Sequence, residues 1–293
     1  MADRGGARPR VGVVKLTSCD GCQLSLLDLE EELLAITERF DLVDFPEATS
    51  NRSAGPYDVL FVEGSISDPD QLARIVDLRA RTTTLVVIGA CATAGGIQAM
   101  RNWGDVGDWA ASVYPKPEML AVLDRVTPVS DHVKVDAELR GCPISTDQLR
   151  EFLAAVVIGR RPRLPNEAVC LECKRRGLVC VLVSGDRTCL GPVTQAGCGA
   201  ICPAYGRGCY GCFGPREQAN VASLTSRFVY GGLDAAEAGR RFAGFAGWAE
   251  PFRSAIPAGG AARPPLEAAA SARAAMTATA TGGAREDDDA RHA

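Results

Sequence analysis

Eight cysteines fall between Cys170 and Cys212, a window of 43 residues in a chain of 293. That window is rich in glycine and shows little hydrophobic periodicity, so it cannot close an apolar core of ordinary size. Something else must hold it, and bound metal supplies folding free energy of that kind. The whole chain has 12 cysteines but only two histidines, His132 and His292. A secreted disulfide scaffold is usually short and carries a signal peptide. This chain is long, and its first residues, Met1-Ala-Asp-Arg-Gly-Gly6, contain no apolar h-region and no twin-arginine signal. Export is therefore not expected and a cytoplasmic setting is. In a reducing compartment, clustered thiols read as metal ligands or redox groups. Twelve is three sets of four, the usual thiolate count for iron–sulfur clusters.

The spacing is Cys170-x2-Cys173-x6-Cys180-x8-Cys189-x8-Cys198-x3-Cys202-Pro203-x5-Cys209-x2-Cys212. Two CxxC pairs and one Cys-Pro make two four-thiolate sites. Two zinc ribbons would give similar counts. The regular ribbon spacing is missing, however, and Cys202-Pro203 is similar to ferredoxin runs. Sequential use puts Cys170, Cys173, Cys180 and Cys189 on one site and Cys198, Cys202, Cys209 and Cys212 on the other. Interleaving, as in two-cluster ferredoxins, is the rival.

The first 160 residues read differently. Strands are expected at 11–16, 40–45, 57–63, 84–89 and 131–135, and helices at 23–38, 69–81 and 146–158. Strands alternating with helices indicate an α/β fold with a doubly wound parallel sheet. Arg160-Arg-Pro-Arg-Leu-Pro-Asn166 has linker composition. The expected organisation is a disordered 1–10, an α/β domain over 11–160, a cysteine-rich domain with C-terminal helices over 161–255, and a disordered Ala-rich tail over 256–293.

The remaining four cysteines each fall just past an expected strand or at the mouth of a helix. Cys19-Asp-Gly-Cys22 follows the first strand, Cys91 follows 84–89, and Cys142 follows 131–135. Loops at the carboxyl ends of parallel strands converge on one crevice, so thiols far apart in sequence meet there. Gly21 lets the CxxC turn bend, and helix N-terminal N–H groups favour thiolates. The bland alternative makes Cys91 and Cys142 small buried hydrophobes and Cys19/Cys22 a redox pair.

Other features weigh less. A net charge of −4, a pI near 5.4 and 6% aromatics argue against nucleic-acid binding. No apolar run is long enough for a membrane span, and no GxGxxG fingerprint marks a nucleotide site. Glu63 reads either as a residue tuning the nearby thiols, or meeting a partner there, or as a solvated strand-end acid. Lys174-Arg-Arg176 reads as a solvated run or a dock for an acidic partner. Asn102 to Trp109, with Trp103 and Trp109, is too irregular for a core helix and reads either as a face towards a partner or as a loop packed on its own domain, and His132 as a structural residue on a strand. Backbone N–H groups near Gly21, Gly95, Gly199 and Gly211 are candidate donors to sulfur.

Taken together, the motifs resemble a known family. Leu16-Thr-Ser-Cys-Asp-Gly-Cys-Gln23, Phe61-Val-Glu-Gly-Ser65, Gly89-Ala-Cys-Ala92 with Gly95-Gly96, and Gly141-Cys-Pro143 come first. Cys170-Leu-Glu-Cys173, Cys189-Leu-Gly-Pro-Val-Thr-Gln-Ala-Gly-Cys198 and Cys209-Tyr-Gly-Cys-Phe-Gly-Pro215 follow in order. Over about residues 10–215 the chain is similar to the small subunit of nickel–iron hydrogenases, in the cytoplasmic NAD(P)-linked, sulfhydrogenase delta-subunit form.

The resemblance implies a flavodoxin-like domain with a proximal 4Fe-4S cluster on Cys19, Cys22, Cys91 and Cys142, beside the Ni–Fe centre of a large subunit. It implies a distal 4Fe-4S cluster on Cys170, Cys173, Cys180 and Cys189, and a medial one on Cys198, Cys202, Cys209 and Cys212. Exported members open the distal site with His-x2-Cys, where this chain has Cys170-x2-Cys173. They often carry Pro where Cys202 stands, which gives a 3Fe-4S cluster instead. They also place a Glu before the first cysteine, where this chain has Ser18, so a proton route through that position is not expected. The implied role is electron transfer inside a hydrogenase complex, not catalysis alone, towards iron–sulfur and flavin/NAD(P) diaphorase subunits. A heterodisulfide reductase or deazaflavin-linked partner is the alternative within the family. A zinc-stabilised interaction protein and a stand-alone ferredoxin are the alternatives outside it.

Overall fold

The computed structural model describes residues 8–185 and 187–257. Of the segments expected to be disordered, 1–10 and 256–293, residues 1–7 and 258–293 lie outside the described residues, whereas Ile256 is buried in the apolar cluster of the C-terminal helices. The chain opens with β1 (Arg10–Lys15), α1 (Gly21–Leu27), α2 (Glu31–Arg39), β2 (Asp41–Asp44), β3 (Tyr57–Glu63), α3 (Pro69–Ala80), β4 (Thr82–Ile88) and α4 (Gly89–Ala94). A 3-10 segment (Ile97–Trp103), α5 (Val106–Val113), β5 (Ala137–Leu139) and α6 (Thr146–Val157) complete the first half. The sheet order is β2-β1-β3-β4-β5 and every pairing is parallel, which is the flavodoxin-like doubly wound arrangement.

The sheet forms because β1, β3 and β4 are near-continuous β-branched and apolar runs, the pattern of strands covered on both faces. Side chains alternate across the sheet. Val11, Val13, Val59, Phe61, Val86 and Ile88 point to one face, against Leu26 of α1 and Leu149, Phe152 and Leu153 of α6. Val14, Leu60, Val62, Leu85 and Val87 point to the other, against Ile75 and Leu78 of α3. Asp68 caps α3 by accepting the Gln71 N–H at 2.8 Å, with Pro69 as the first helical residue. Phe61 is fully buried and meets Phe152 edge to face, ring centroids 5.7 Å apart. Phe61→Ala is expected to lower unfolding stability by about 3–5 kcal/mol, read from denaturant titration of the purified protein. A loss below about 1 kcal/mol would contradict this account of the core.

The second half consists of short helices: α7 (Val169–Arg175), α8 (Val181–Ser184), α9 (Ile201–Ala204), α10 (Val221–Tyr230), α11 (Ala235–Arg240) and α12 (Phe252–Ala255). Phe228, Phe242 and Phe252 pack in a row, with successive centroids 6.2 and 5.5 Å apart. This half does not hang from a linker. Ala94 of α4 shares the apolar cluster of the C-terminal helices, and Trp103 meets the Trp248 ring at 5.2 Å.

Three expectations change. The fifth strand is Ala137–Leu139, not 131–135, which instead begins in the 3-10 turn Val129–Asp131. His132 is therefore off the sheet, its Nε2 2.7 Å from Thr127 Oγ1. The helix expected over 23–38 is two helices, because buried Leu29 anchors the break and Glu30 takes a positive φ of 49°. The sheet also begins at Arg10, inside the segment expected to be disordered, with Pro9 O accepting the Asp41 N–H. Of the tryptophan loop, Trp103 packs on its own chain and Trp109 lies on α5.

Candidate metal centre

The first four cysteines stand at the carboxyl ends of three strands. Cys19 lies in the loop after β1, and Cys22 in the first turn of α1. Cys91 lies in α4, directly after β4, and Cys142 follows β5. The sheet order places β1, β4 and β5 so that these loops meet. Gly89 makes the approach close: a Cβ there would collide with Cys22 Sγ, and one on Gly96 would stand 2.7 Å from Cys91 Sγ. Cys91 and Cys142 both act on Cys22 electrostatically, and Cys19 acts on Cys91 and Cys142. Burial pushes the Cys22 thiol up, the Glu63 charge adds to that, and the Ile144 N–H opposes it. Burial likewise pushes Cys91 up to about 11.

Glu63 is not a solvated strand-end acid. It is 1% exposed and accepts the Cys22 N–H at 3.1 Å and Gln23 Nε2 at 2.9 Å. Burial raises its carboxyl and those two donors pull it back. It buttresses the CxxC turn from beneath. Gln98 does the same for Cys91: its Oε1 lies 3.7 Å from the thiol, and its Nε2 donates to Thr17 O and Ser65 Oγ. Nothing in the sequence singles out Gln98, because a lone glutamine carries no spacing signal.

The other eight cysteines sort by position. Cys170, Cys173, Cys180 and Cys189 line one cavity of about 110 Å³, whose other walls include Leu178, Val179, Val181, Leu182, Pro192 and Pro203. Burial, then Cys189, Cys173 and Cys180, push Cys170 up to about 11. Cys212 is pushed up to about 12 by burial, then by Cys198, Cys142 and Cys202. Cys209 is deeply buried between the groups: its N–H donates to Cys189 Sγ at 3.2 Å, and its thiol accepts the Gly211 N–H at 3.4 Å. Ala200 and Ile201 supply backbone donors to Cys198, and Cys142 supplies one to Cys212. Gly211 thus donates to sulfur as expected, whereas Gly199 gives its N–H to Glu172. Lys174-Arg-Arg176 is not a uniformly solvated run. Arg175 pairs with Glu167, and Arg176 donates to Gly199 O.

The donor set fits iron–sulfur chemistry. Burial raises the thiols of Cys22, Cys91, Cys142, Cys170, Cys173, Cys198, Cys209 and Cys212, and a bound cation is what draws such protons off. Backbone N–H donors already point at Cys22, Cys189, Cys198, Cys209 and Cys212, the contacts that stabilise cluster thiolates. Among the described residues, no three of His, Cys, Asp or Glu are gathered as a single metal ion would require. The first cysteine cage of the C-terminal half is instead an apolar cavity with sulfur at four points of its lining.

The chain thus joins a parallel 2-1-3-4-5 sheet, with thiols at the carboxyl ends of β1, β4 and β5, to a cysteine-built second half. The family described as NADH ubiquinone oxidoreductase, 20 Kd subunit, matches residues 19–156. The chain is 37% identical to sulfhydrogenase 2 subunit delta of Pyrococcus furiosus, over 73% of this chain and 90% of that one. It is 30% identical to a subunit of the F420-non-reducing hydrogenase vhu of Methanocaldococcus jannaschii, over 73% and 86%. A chain in the structure of an NAD+-reducing [NiFe]-hydrogenase superposes with a TM-score of 0.51 at 28% identity, covering 54% of this chain and 96% of that one. The chain belongs to the nickel–iron hydrogenase small-subunit family.

Proposed function

We propose that this chain carries electrons within a cytoplasmic NiFe hydrogenase complex, through three 4Fe-4S clusters. Cys19, Cys22, Cys91 and Cys142 would hold the proximal cluster, Cys198, Cys202, Cys209 and Cys212 the medial one, and Cys170, Cys173, Cys180 and Cys189 the distal one. The observation that carries this is the gathering of all 12 cysteines into neighbouring groups of sulfur, the first at the carboxyl ends of β1, β4 and β5. Sequential ligation is favoured over interleaving because the 170–189 thiols share one cavity and Cys212 faces Cys198 and Cys202.

When bound, such clusters accept and release single electrons. The chain's own residues do the rest. Glu63, Gln23 and Gln98 fix the turns that present Cys22 and Cys91. The N–H groups of Ile144, Cys142, Ala200, Ile201 and Gly211 favour charge on sulfur. Leu178, Val181 and Leu182 exclude water from the 170–189 cavity. Cys19 and Cys142 are exposed, as are Leu24 on α1 with Cys22, and Ile97 and Met100 on the 3-10 segment that follows α4. That apolar, sulfur-bearing face suits burial against the large subunit that would hold the Ni–Fe centre. Hydrogen would be split there, and electrons would leave towards iron–sulfur and flavin subunits that reduce NAD(P)+. Similarity to both sulfhydrogenase and F420-non-reducing relatives supports a choice of acceptor made by those partners. No helix among the described residues is long and apolar enough to cross a membrane.

Anaerobic purification through a tag on this chain is expected to yield about 12 iron and 12 sulfide per chain, with about one nickel in a larger co-purifying subunit. About three zinc and no sulfide would replace this reading with a structural zinc protein.

A further inference from the structure

Glu172 sits between Cys170 and Cys173 on α7, yet its carboxylate serves a different loop. Oε1 accepts the Gly197 N–H at 2.9 Å and the Gly199 N–H at 3.1 Å, and Oε2 accepts the Ala200 N–H at 3.2 Å. Gly199 and Ala200 take positive φ values of 66° and 52°. Successive N–H groups in such a turn face one side and form an anion-binding concavity. Cys198 lies in the middle of this turn, its Sγ 3.9 Å from Glu172 Oε2. Three donors of a turn built around a thiol are therefore engaged by a fixed carboxylate.

We propose that Glu172 is a positioning residue that lowers the reduction potential of the cysteine site containing Cys198 and links that site to the one containing Cys173. The proposal rests on the reading that both sites hold iron–sulfur clusters. Reduction adds negative charge to a group already anionic through its thiolates. Nearby N–H donors favour that step and a nearby carboxylate opposes it. Glu172 does both things in one direction: it takes the Gly197 and Gly199 N–H groups for itself, shares the Ala200 N–H with the thiol, and sets a charge beside the sulfur. The carboxylate stands 3.9 Å from Cys198 Sγ and binds the turn around it, so the effect falls chiefly on the Cys198 side, which separates the potentials of two neighbouring sites. The geometry also ties α7, which carries Cys170 and Cys173, to the loop that carries Cys198, so one side chain sets the relation between the two ligand groups.

The test is redox titration of the intact complex, followed by electron paramagnetic resonance of the reduced clusters. Glu172→Gln keeps Oε1 for Gly197 and Gly199 and removes the charge. It is expected to retain wild-type iron and sulfide, with one reduced-cluster signal shifted to higher potential. A shift of about tenfold in the reduction equilibrium corresponds to about 59 mV for one electron. A second signal is expected to move less, and a third not at all. Wild-type loading with every potential unchanged overturns the proposal and leaves Glu172 a purely structural brace. Should Glu172→Gln fail to load, Arg176→Gln carries the test, because Arg176 is the cation bound to Gly199 O on the same turn. A downward shift of the same signal supports the proposal, and no shift overturns it. A wild-type complex without iron and sulfide defeats the cluster reading itself, an outcome distinct from either of these.

Discussion

Gly89→Ala is expected to strip the N-terminal cysteine group of its iron while leaving the other eight cysteines loaded. Gly89 has a φ of +82°, and a Cβ there meets Cys22 Sγ directly. The left-handed conformation costs an alanine roughly 1–2 kcal/mol. The overlap adds about 1–3 kcal/mol, because Cys22 is buried and pinned by Glu63 beneath its N–H. The chain relieves both by moving Cys22, which no longer meets Cys19, Cys91 and Cys142. Iron analysis of the purified complex should fall from about 12 to about 8 per chain. Hydrogen-dependent dye reduction should fall with it, since that group is the proposed point of electron entry. Gly159→Ala is the control: φ is +68° there, but nothing stands within 4 Å of the added Cβ. It should keep full iron and lose only the conformational term. A Gly89→Ala protein with a complete iron complement would refute the close packing of Gly89 on Cys22.

The second large effect concerns metal removal. Anaerobic oxidation with a chelator is expected to unfold residues 168–215 while the sheet survives. The buried residues of that segment's own cluster are Val169, Cys189, Ala200 and Cys209, so half of them are thiols. α8 and α9 span four residues each, too short to stand without tertiary support. Without metal, the segment keeps only Val169 and Ala200 as buried apolar residues of that cluster beside two buried thiols. Amide hydrogen exchange should accelerate by about a thousandfold over this segment, on the order of 4 kcal/mol of lost local stability. Amides of β3 and β4 should keep their protection, because Leu60, Phe61, Leu85 and Val86 are fully buried without reference to any thiol. Unchanged exchange over 168–215 after full removal of iron would mean that ordinary packing holds the segment.

Legibility follows the strength of the local pattern. Tyr57–Glu63 is readable to the residue, since seven consecutive residues of strand type sit between turn signals. The fifth strand is not, because Ala137–Leu139 is three residues long and Val133 and Val135 nearby imitate strand alternation. Val133 and Val135 instead pack, partly buried, against the α3 face of the sheet. The break between α1 and α2 is hidden because leucines continue through it, and only the buried Leu29 and the positive φ of Glu30 reveal the turn. All 12 cysteines are legible, since thiol is rare and its spacing is informative. The residues that hold the thiols in place are harder to see. Glu63 carries three readings in the sequence, and burial removes the solvated one. Glu172 is inconspicuous inside Cys170-Leu-Glu-Cys173, because its partners Gly197, Gly199 and Ala200 are more than 20 residues away and contribute only backbone. Contacts made by main chain leave no mark on side-chain identity.

The seating of Phe213 on Gly141 has a further consequence. A Cβ on Gly141 would stand 2.8 Å from the Phe213 ring, so the loop bearing Cys142 and the loop bearing Cys212 are interlocked through one aromatic side chain. Cys142 also donates its N–H to Cys212. No joint separates the sheet's thiols from those of the second half, so the gap an electron would tunnel across is a packing dimension rather than the average of a swinging linker. A change of bulk at position 213 would retune that gap, and with it the speed of the proposed relay, without touching any of the cysteines.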